Sequence, residues 1–414
     1  MSVIPGISKA QLEREAHREW YASLYNRLGN GVTFEGPNLQ NEHTPYDLCY
    51  DIIKKLETTS DGIQGNILVL FNLEFVEVLV YDYGIESERI TFVTDCSRKA
   101  KSAELDRYKG LNVFFTEDVL NWEPNMKFDH VIMNPPYQAS INHNRKVRGV
   151  RTHIWHKFVE MSISQLVKQD GYVVHIHPAG WRRGKGKYSN TGNLIRKNQI
   201  HYLEMHDIED GIADFSATVG YDWYVLQKCK PVKKSAIVDF DGNLFNIAID
   251  TCEIIPNRYA SNIINLIAKS SEEKINFIHS ESAYEGRKTH VSKEKDDKHI
   301  YPVIYSLPQK GIKLAWSSIN TKGHFNVPKV IWTNGAGTQI LVDQNGEYGM
   351  SQWGFAIADD PDVLPLIKKA MESEKFLELC KGMRFTLDKY DYKFISLFRK
   401  DFWKEFVDKD GNEI

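Results

Sequence analysis

Residues 128–137 read FDHVIMNPPY: an apolar run from Phe128 to Met133, closed by Asn134, Pro135, Pro136 and Tyr137. A short apolar run bounded by turn residues predicts a buried strand. Neither proline carries an N–H, so the two cannot continue a sheet ladder. They fix an extended turn at the strand's carboxyl end. The Asn134 amide is thereby held rigidly at that end, with the Tyr137 ring beside it.

Working outward, the same texture recurs. NILVLF (66–71), ITFVTD (90–95), LNVFFT (111–116) and GYVVHIHP (171–178) are further strand candidates. Between them lie a helix-like stretch to about Tyr83, a charged helix over 97–108 and an apolar-spaced helix over 154–168. Ahead of them come an amphipathic helix at 8–28, a polar loop at 29–43 and a helix at 45–57 opened by Pro45. Strands alternating with helices predict a parallel α/β sheet, which binds ligands at the carboxyl ends of its strands. After about residue 230 the texture turns mixed. Short β-like runs (SAIVDF, FNIAID, KVIWTN, TQILVD, WGFAIA) precede a helical, aromatic stretch at 361–406.

The tetrapeptide suits an exocyclic amino group. Such an amine donates two hydrogens; the Asn134 side-chain oxygen accepts one and the Pro135 carbonyl the other. The nitrogen lone pair is then turned toward an electrophile, while Tyr137 offers a face for the heterocycle.

On these residues the chain resembles the S-adenosylmethionine-dependent adenine-N6 DNA methyltransferases of the gamma arrangement, over about Thr44 to Trp223. The resemblance implies a Rossmann-like class I sheet with N-terminal helices. A catalytic domain would span 1–235, including a helical extension at 1–43. A mixed α+β target-recognition domain would span 236–414. It implies S-adenosylmethionine as cofactor and a flipped adenine in double-stranded DNA as acceptor, with Asn134, Pro135, Pro136 and Tyr137 catalytic. Thr44 and Pro45 fall beside the cofactor's methionine end, Asp95 at its ribose hydroxyls and Asp118 at its adenine amine. Phe215 or Tyr221 would face Tyr137 across the base. One departure is clear: the glycine-rich turn usual after the first strand is missing. Asn72 and Glu74 stand there, either as contacts to the cofactor's amino-acid moiety or as an ordinary helix start with Asn72 as N-cap.

Charge supports a polyanionic partner only when read by position. Lys+Arg is 52 against Asp+Glu 55 over 414 residues, a net of −3. Residues 141–200 nevertheless hold 12 basic side chains and two acids, an excess of +10. The clusters holding Arg145, Lys146, Arg148 and Arg151, and Arg182, Arg183, Lys185 and Lys187, follow expected strand ends and are candidate phosphate contacts. Trp332, Asn334, Gln339, Gln352, Trp353 and Arg384 offer base-reading chemistry, but no base is assigned to any of them.

Other classes are disfavoured. Five scattered cysteines without a CxxC pair predict neither a disulfide framework nor a zinc site, and no metal is expected. His175 and His177 alternate on one strand and read as strand-end polar residues. No hydrolase elbow, Walker loop, HExxH or nuclease pattern stands out. The opening residues lack a signal-peptide core, and 66–85 carries Glu74, Glu77 and Asp82, so no membrane span is expected. A cytoplasmic monomer, in a host cell or a virus-infected one, is the expectation; a separate restriction nuclease is the protein partner this reading admits. The rivals are NPPY methyltransferases acting on RNA, protein glutamine or cytosine N4, and a catalytically silent DNA-binding relative.

Overall fold

The computed structural model describes residues 44–95, 108–116, 118–139, 152–184, 186–385 and 388–414. The expected elements at 8–28, 29–43 and 97–108 fall outside these residues, save Tyr108. The chain divides into two units, Met1–Glu253 and Ile254–Ile414.

The first unit is built on nine strands in the order β11-β10-β8-β9-β7-β4-β1-β2-β3. β1 (Ile67–Leu70), β2 (Ile90–Asp95), β3 (Asn112–Thr116) and β4 (Phe128–Met133) are the first four strands read from the sequence. β5 (Gln138–Ala139) and β6 (Thr152–His153) pair with each other outside this sheet. β7 (Val167–Pro178), β8 (Gln199–His206), β9 (Tyr221–Gln227), β10 (Ser235–Val238) and β11 (Leu244–Ile247) complete it. β1 is parallel to β2 and β4, β2 to β3, and β4 to β7. β9 runs antiparallel between β7 and β8. This is the parallel-rich α/β sheet that the alternation of strands and helices predicts. Its strand order reverses between β1 and β4, where an open α/β sheet leaves a crevice at the strands' carboxyl ends.

The central strands read as unbroken apolar runs because both faces are covered. All four residues of β1 are buried. Helix α1 (Tyr46–Ser60) lays Cys49, Ile52, Ile53 and Leu56 onto the core, the i, i+3, i+4, i+7 stripe of an amphipathic helix. Full burial of each isoleucine contributes roughly 2 kcal/mol.

Two differences from the sequence reading concern boundaries. The sheet does not stop at 235: β10 adds parallel to β8 and β11 adds antiparallel to β10, so SAIVDF and the start of FNIAID belong to the first unit. The division therefore falls after Glu253. The expected helix at 154–168 is α3 (Trp155–Met161) followed by a wider π-type turn, Ser162–Leu166. β7 already begins at Val167, with Asp170 in the left-handed region (φ 62°) where the added residues leave regular register with β4.

The second unit carries two four-stranded sheets. One has the order β12-β19-β16-β17 and the other β13-β15-β14-β18. The strands are β12 (Asn276–Ile278), β13 (Val291–Ser292), β14 (Tyr301–Ser306), β15 (Lys313–Ser317), β16 (Lys329–Thr333), β17 (Leu341–Asp343), β18 (Gly349–Met350) and β19 (Gly354–Ala358). The aromatic tail is mostly core: Tyr390, Phe394, Phe398 and Phe402 are buried with Trp332 and Phe355.

Candidate active site

β1 and β4 lie side by side in register, Leu70 opposite Met133. The residues that follow each strand therefore meet at the point where the strand order reverses. Asn134 is fully buried there. Its backbone N–H donates to Asn72 Oδ1 at 2.9 Å. Its side-chain Nδ2 donates to Thr44 Oγ1 at 3.2 Å. These two bonds orient the amide, and Asn134 Oδ1 is left buried with no hydrogen-bond partner among the described residues. A buried carbonyl oxygen without a donor costs about 1–3 kcal/mol. Such an oxygen can accept an N–H from outside the described residues.

The turn after β1 explains how the chain manages without glycine. Asn72 N–H donates to Leu70 O at 3.0 Å, closing a three-residue turn around Phe71. Phe71 has φ 72°. That is the rare γ-turn with positive central φ, a strained conformation for a bulky residue. The Phe71 ring is held by burial and by an edge-on contact with Phe158 at 5.1 Å between centroids. Packing thus holds phenylalanine where backbone freedom would favour glycine. The turn delivers Asn72 to Asn134 and starts α2 (Leu73–Glu77) with Glu74 in its first turn. Asn72 makes no side-chain cap to this helix; its oxygen serves Asn134 instead. Glu74 and burial together raise the Cys49 thiol well above its usual range, burial more strongly.

The two acids on neighbouring strands keep their edge positions. Asp95 ends β2. Asp118 follows β3 and caps the next turn, Oδ1 accepting from Leu120 N–H at 3.0 Å and Oδ2 from Asn121 Nδ2 at 2.6 Å. Thr44 and Pro45 immediately precede α1, with Pro45 as its N-cap. Glu74, Asp95 and Asp118 thus follow or close β1, β2 and β3 along the sheet's carboxyl edge.

Tyr137 is buried, and its carbonyl accepts from Ile154 N–H at 3.1 Å. Pro135 and Pro136 are buried with it. α4 (Ile208–Phe215) leads toward this region. Its Asp214 accepts from Tyr221 Oη at 2.5 Å, and Phe215 stands edge-on to Tyr221 at 4.8 Å. Tyr221 in turn lies within electrostatic reach of Tyr137, and burial with its acidic neighbours raises its pKa. Tyr221 is also stacked on His206 at 4.3 Å, so its ring face is occupied; Phe215 is half exposed.

The basic clusters need correction. Arg182 is not a phosphate contact. It is fully buried, with Nε 2.9 Å from Asp222 Oδ2, which also accepts from Trp181 Nε1 at 2.8 Å. Burial lowers the Arg182 pKa and raises that of Asp222, while each partner opposes the shift in the other. Arg196 is likewise spent inward, on the carbonyls of Trp181 and Arg182. Lys168 pairs with Asp129 at 2.8 Å at the opposite, amino edge of β4 and β7. Arg183 stays half exposed and Lys187 exposed. Arg145, Lys146, Arg148, Arg151 and Lys185 lie outside the described residues.

His175 and His177 are fully buried core groups. Tyr224 Oη bridges His175 Nδ1 (2.9 Å) and His177 Nε2 (3.0 Å), and Ser162 Oγ meets His175 Nε2 at 2.7 Å. Among the described residues no three histidine, cysteine or acidic side chains are placed to hold a metal. Nor is any helix among them long and apolar enough to cross a membrane.

Residues 71–211 match the family described as Eco57I restriction-modification methylase. The match begins at the Phe71 turn and takes in Asn134–Tyr137, so over this segment the resemblance to S-adenosylmethionine-dependent DNA methyltransferases stands. Among solved structures, the chain is similar to the methyltransferase subunit of a type I restriction-modification system from Streptococcus thermophilus. That likeness has 14% identity and a TM-score of 0.41, over 60% of this chain and 58% of that one. It is similar also to the M protein of the type I restriction enzyme EcoKI, at 14% identity and TM-score 0.36, over 48% of each chain. A third likeness is to the type IIG restriction endonuclease BpuSI, at 11% identity and TM-score 0.43, over 94% of this chain and 62% of that one. The chain thus spans between about half and three fifths of these structures. No curated protein matches it.

Sequence reading missed two relationships. Nothing in LVLFNLEF announces that Phe71 takes positive φ, and nothing in WRRGKGK separates the buried Arg182 from its exposed neighbours. The aspartate within YDWYVL, a charge inside an otherwise apolar strand, was the available signal for Asp222's buried partner.

Proposed function

We propose that this protein transfers the methyl group of S-adenosylmethionine to the N6 amine of an adenine flipped out of double-stranded DNA. The observation that carries the reading is the buried Asn134 Oδ1, an acceptor without a donor among the described residues, at the carboxyl end of β4. An exocyclic amine supplies the missing N–H; the Pro135 carbonyl is the second acceptor the tetrapeptide offers.

Bound at the ends of β1, β2 and β3, the cofactor supplies an electrophilic sulfonium methyl. The protein's own part is alignment. Thr44 and Asn72 hold Asn134, Asn134 turns the amine's lone pair toward the methyl, and Tyr137 and Phe215 bracket the base. Glu74, Asp95 and Asp118 are the cofactor's polar contacts. The amine needs no strong base before attack, because its proton leaves once the nitrogen is cationic. Orientation of this kind provides much of the rate enhancement. Arg183 and Lys187 are the phosphate contacts remaining from the second basic cluster. The unit from Ile254 onward selects the DNA site.

The test is transfer of tritiated methyl from S-adenosylmethionine to DNA, RNA and protein, followed by nucleoside analysis. N6-methyladenine in DNA, abolished by Asn134→Ala with DNA binding retained, supports the reading. N4-methylcytosine, label in RNA or protein, or no transfer at all refutes it.

A further inference from the structure

The second unit gathers several loops at one end of its two sheets. The chain leaves β14 through 307–312, β16 through 334–340 and β18 through 351–353, and Asp388 and Lys389 come beside them. Hydrogen bonds tie these segments together. Leu307 N–H donates to Thr333 Oγ1 at 3.1 Å, and Asn334 N–H to Trp353 O at 3.0 Å. Gly335 N–H donates to Asp388 Oδ1 at 2.8 Å, while Gln339 Nε2 donates to Gly311 O at 2.7 Å. The loops form one built surface rather than separate flexible connections.

Its chemistry is specific. Asn334, Trp353 and Arg384 are exposed, Trp353 by 47%. Gln352 Oε1 is buried without a hydrogen-bond partner among the described residues. Lys389 N–H donates to Gly335 O at 3.4 Å, and Arg384 stands four residues before Asp388 in the chain. The acid among the described residues of these loops, Asp388, is tied to the Gly335 amide. Exposed Lys310 adds positive charge. Gly335 at φ 113° leaves the tip of its loop without a side chain, so the surface can approach a ligand closely. Amides pair bidentately with adenine, a guanidinium with guanine, and an exposed indole stacks or wedges between bases. A protein partner would not call for that combination of amides, cations and no unengaged acid.

We propose that this loop end reads the base edges of duplex DNA, with Asn334, Gln352 and Arg384 as specificity-determining contacts and Trp353 packed against the bases; this rests on the DNA methylation proposed above. Gln339, whose amide staples two loops, and Trp332, buried in the core, are not readers.

The experiment expresses the full chain and its Asn334→Ala, Gln352→Ala, Arg384→Ala and Arg384→Lys variants. Methylated positions in the cells' DNA are read by single-molecule sequencing, and S-adenosylmethionine affinity is measured by calorimetry on the purified proteins. Wild type should mark one defined motif. Each alanine variant should lose about tenfold or more in methylation at that motif, or relax one of its positions, with cofactor affinity unchanged. Arg384→Lys keeps charge and fold but not the bidentate fork, so it too should relax its position. Wild-type rates and motif in every variant overturn the proposal while leaving the methylation reading intact. A wild type that marks no DNA overturns the methylation reading and this inference with it.

Discussion

Thr44 and Asn134 stand ninety positions apart and meet through one hydrogen bond, Asn134 Nδ2 to Thr44 Oγ1 at 3.2 Å. Because the amide nitrogen is engaged, the amide oxygen is the atom that the proposed reaction would offer to an incoming amine. Thr44→Val removes the acceptor at nearly constant shape and lets the amide turn. The expected result is a fall in single-turnover methyl transfer of about 100-fold, the scale of a misaligned reacting group. Thr44→Ser should restore transfer. Asn134→Ala should abolish it. Unaltered transfer by Thr44→Val would mean the bond does not set the amide.

Phe71 offers a stability test with an inverted order. Glycine normally destabilises relative to alanine by about 0.5–1 kcal/mol. At φ 72° the order should reverse, because alanine keeps the strain and glycine relieves it. Both substitutions lose the buried ring and its contact with Phe158, a cost of about 3–5 kcal/mol. Urea denaturation should therefore find Phe71→Gly more stable than Phe71→Ala by about 1 kcal/mol.

The sheet was legible because its signal is local. Strands β1 to β4 are short apolar runs bounded by polar turns, and Asn134-Pro135-Pro136-Tyr137 marks the end of β4 in four letters. The site residues drawn from it, Thr44, Asn72 and Asn134, come together in the structure, but the bonds between them depend on strand order, which no local pattern states. Asn72, which in sequence offers a cofactor contact or an N-cap, holds the N-cap position of α2, while its side-chain oxygen accepts from Asn134 N–H rather than from that helix. Charge counting overreached for the same reason. Arg182 and Arg183 are neighbours in sequence, yet Asp222 on β9 draws one into the core and leaves the other half exposed. The boundary at 235 failed because β10 and β11 are too short to show which sheet they extend.

Arg182 and its neighbours separate stability from DNA contact. Arg182→Gln leaves Asp222 buried without its cation and should cost about 3–5 kcal/mol in chemical denaturation. It should not alter the salt dependence of DNA binding at temperatures where the variant is folded. Lys187→Ala should behave oppositely: stability within about 0.5 kcal/mol of wild type, and a log affinity–log salt slope shallower by about 0.9. A reduced salt slope for Arg182→Gln with stability intact would contradict the buried pairing.

Four buried histidines weaken the fold in acid, and three of them, His130, His175 and His177, lie in the first unit. Burial lowers His130 to about 4 and His177 to about 3, the latter helped by nearby Arg182. His175 lies well below its ordinary value for the same reason, with His177 adding to the effect. A histidine whose folded pKa is below its unfolded value of about 6.5 binds fewer protons when folded. Stability then rises with pH between the two values and is level above about 6.5. Acidification from pH 6.5 to 5 should therefore cost up to about 1.4 kcal/mol per pH unit for each of the three. His206 acts in the other direction: burial lowers its pKa, but Glu204 and Asp210 raise it overall. Its stabilisation is complete below about pH 6.5 and fades only as pH rises through its folded pKa, so it stays level within the acid window. Urea denaturation at pH 7.5, 6.5, 5.8 and 5 checks the slope. His177→Gln should flatten it by about one histidine's share, roughly 1.4 kcal/mol per pH unit. A slope equal to wild type in that variant would remove His177 from the acid response and leave another group to account for it.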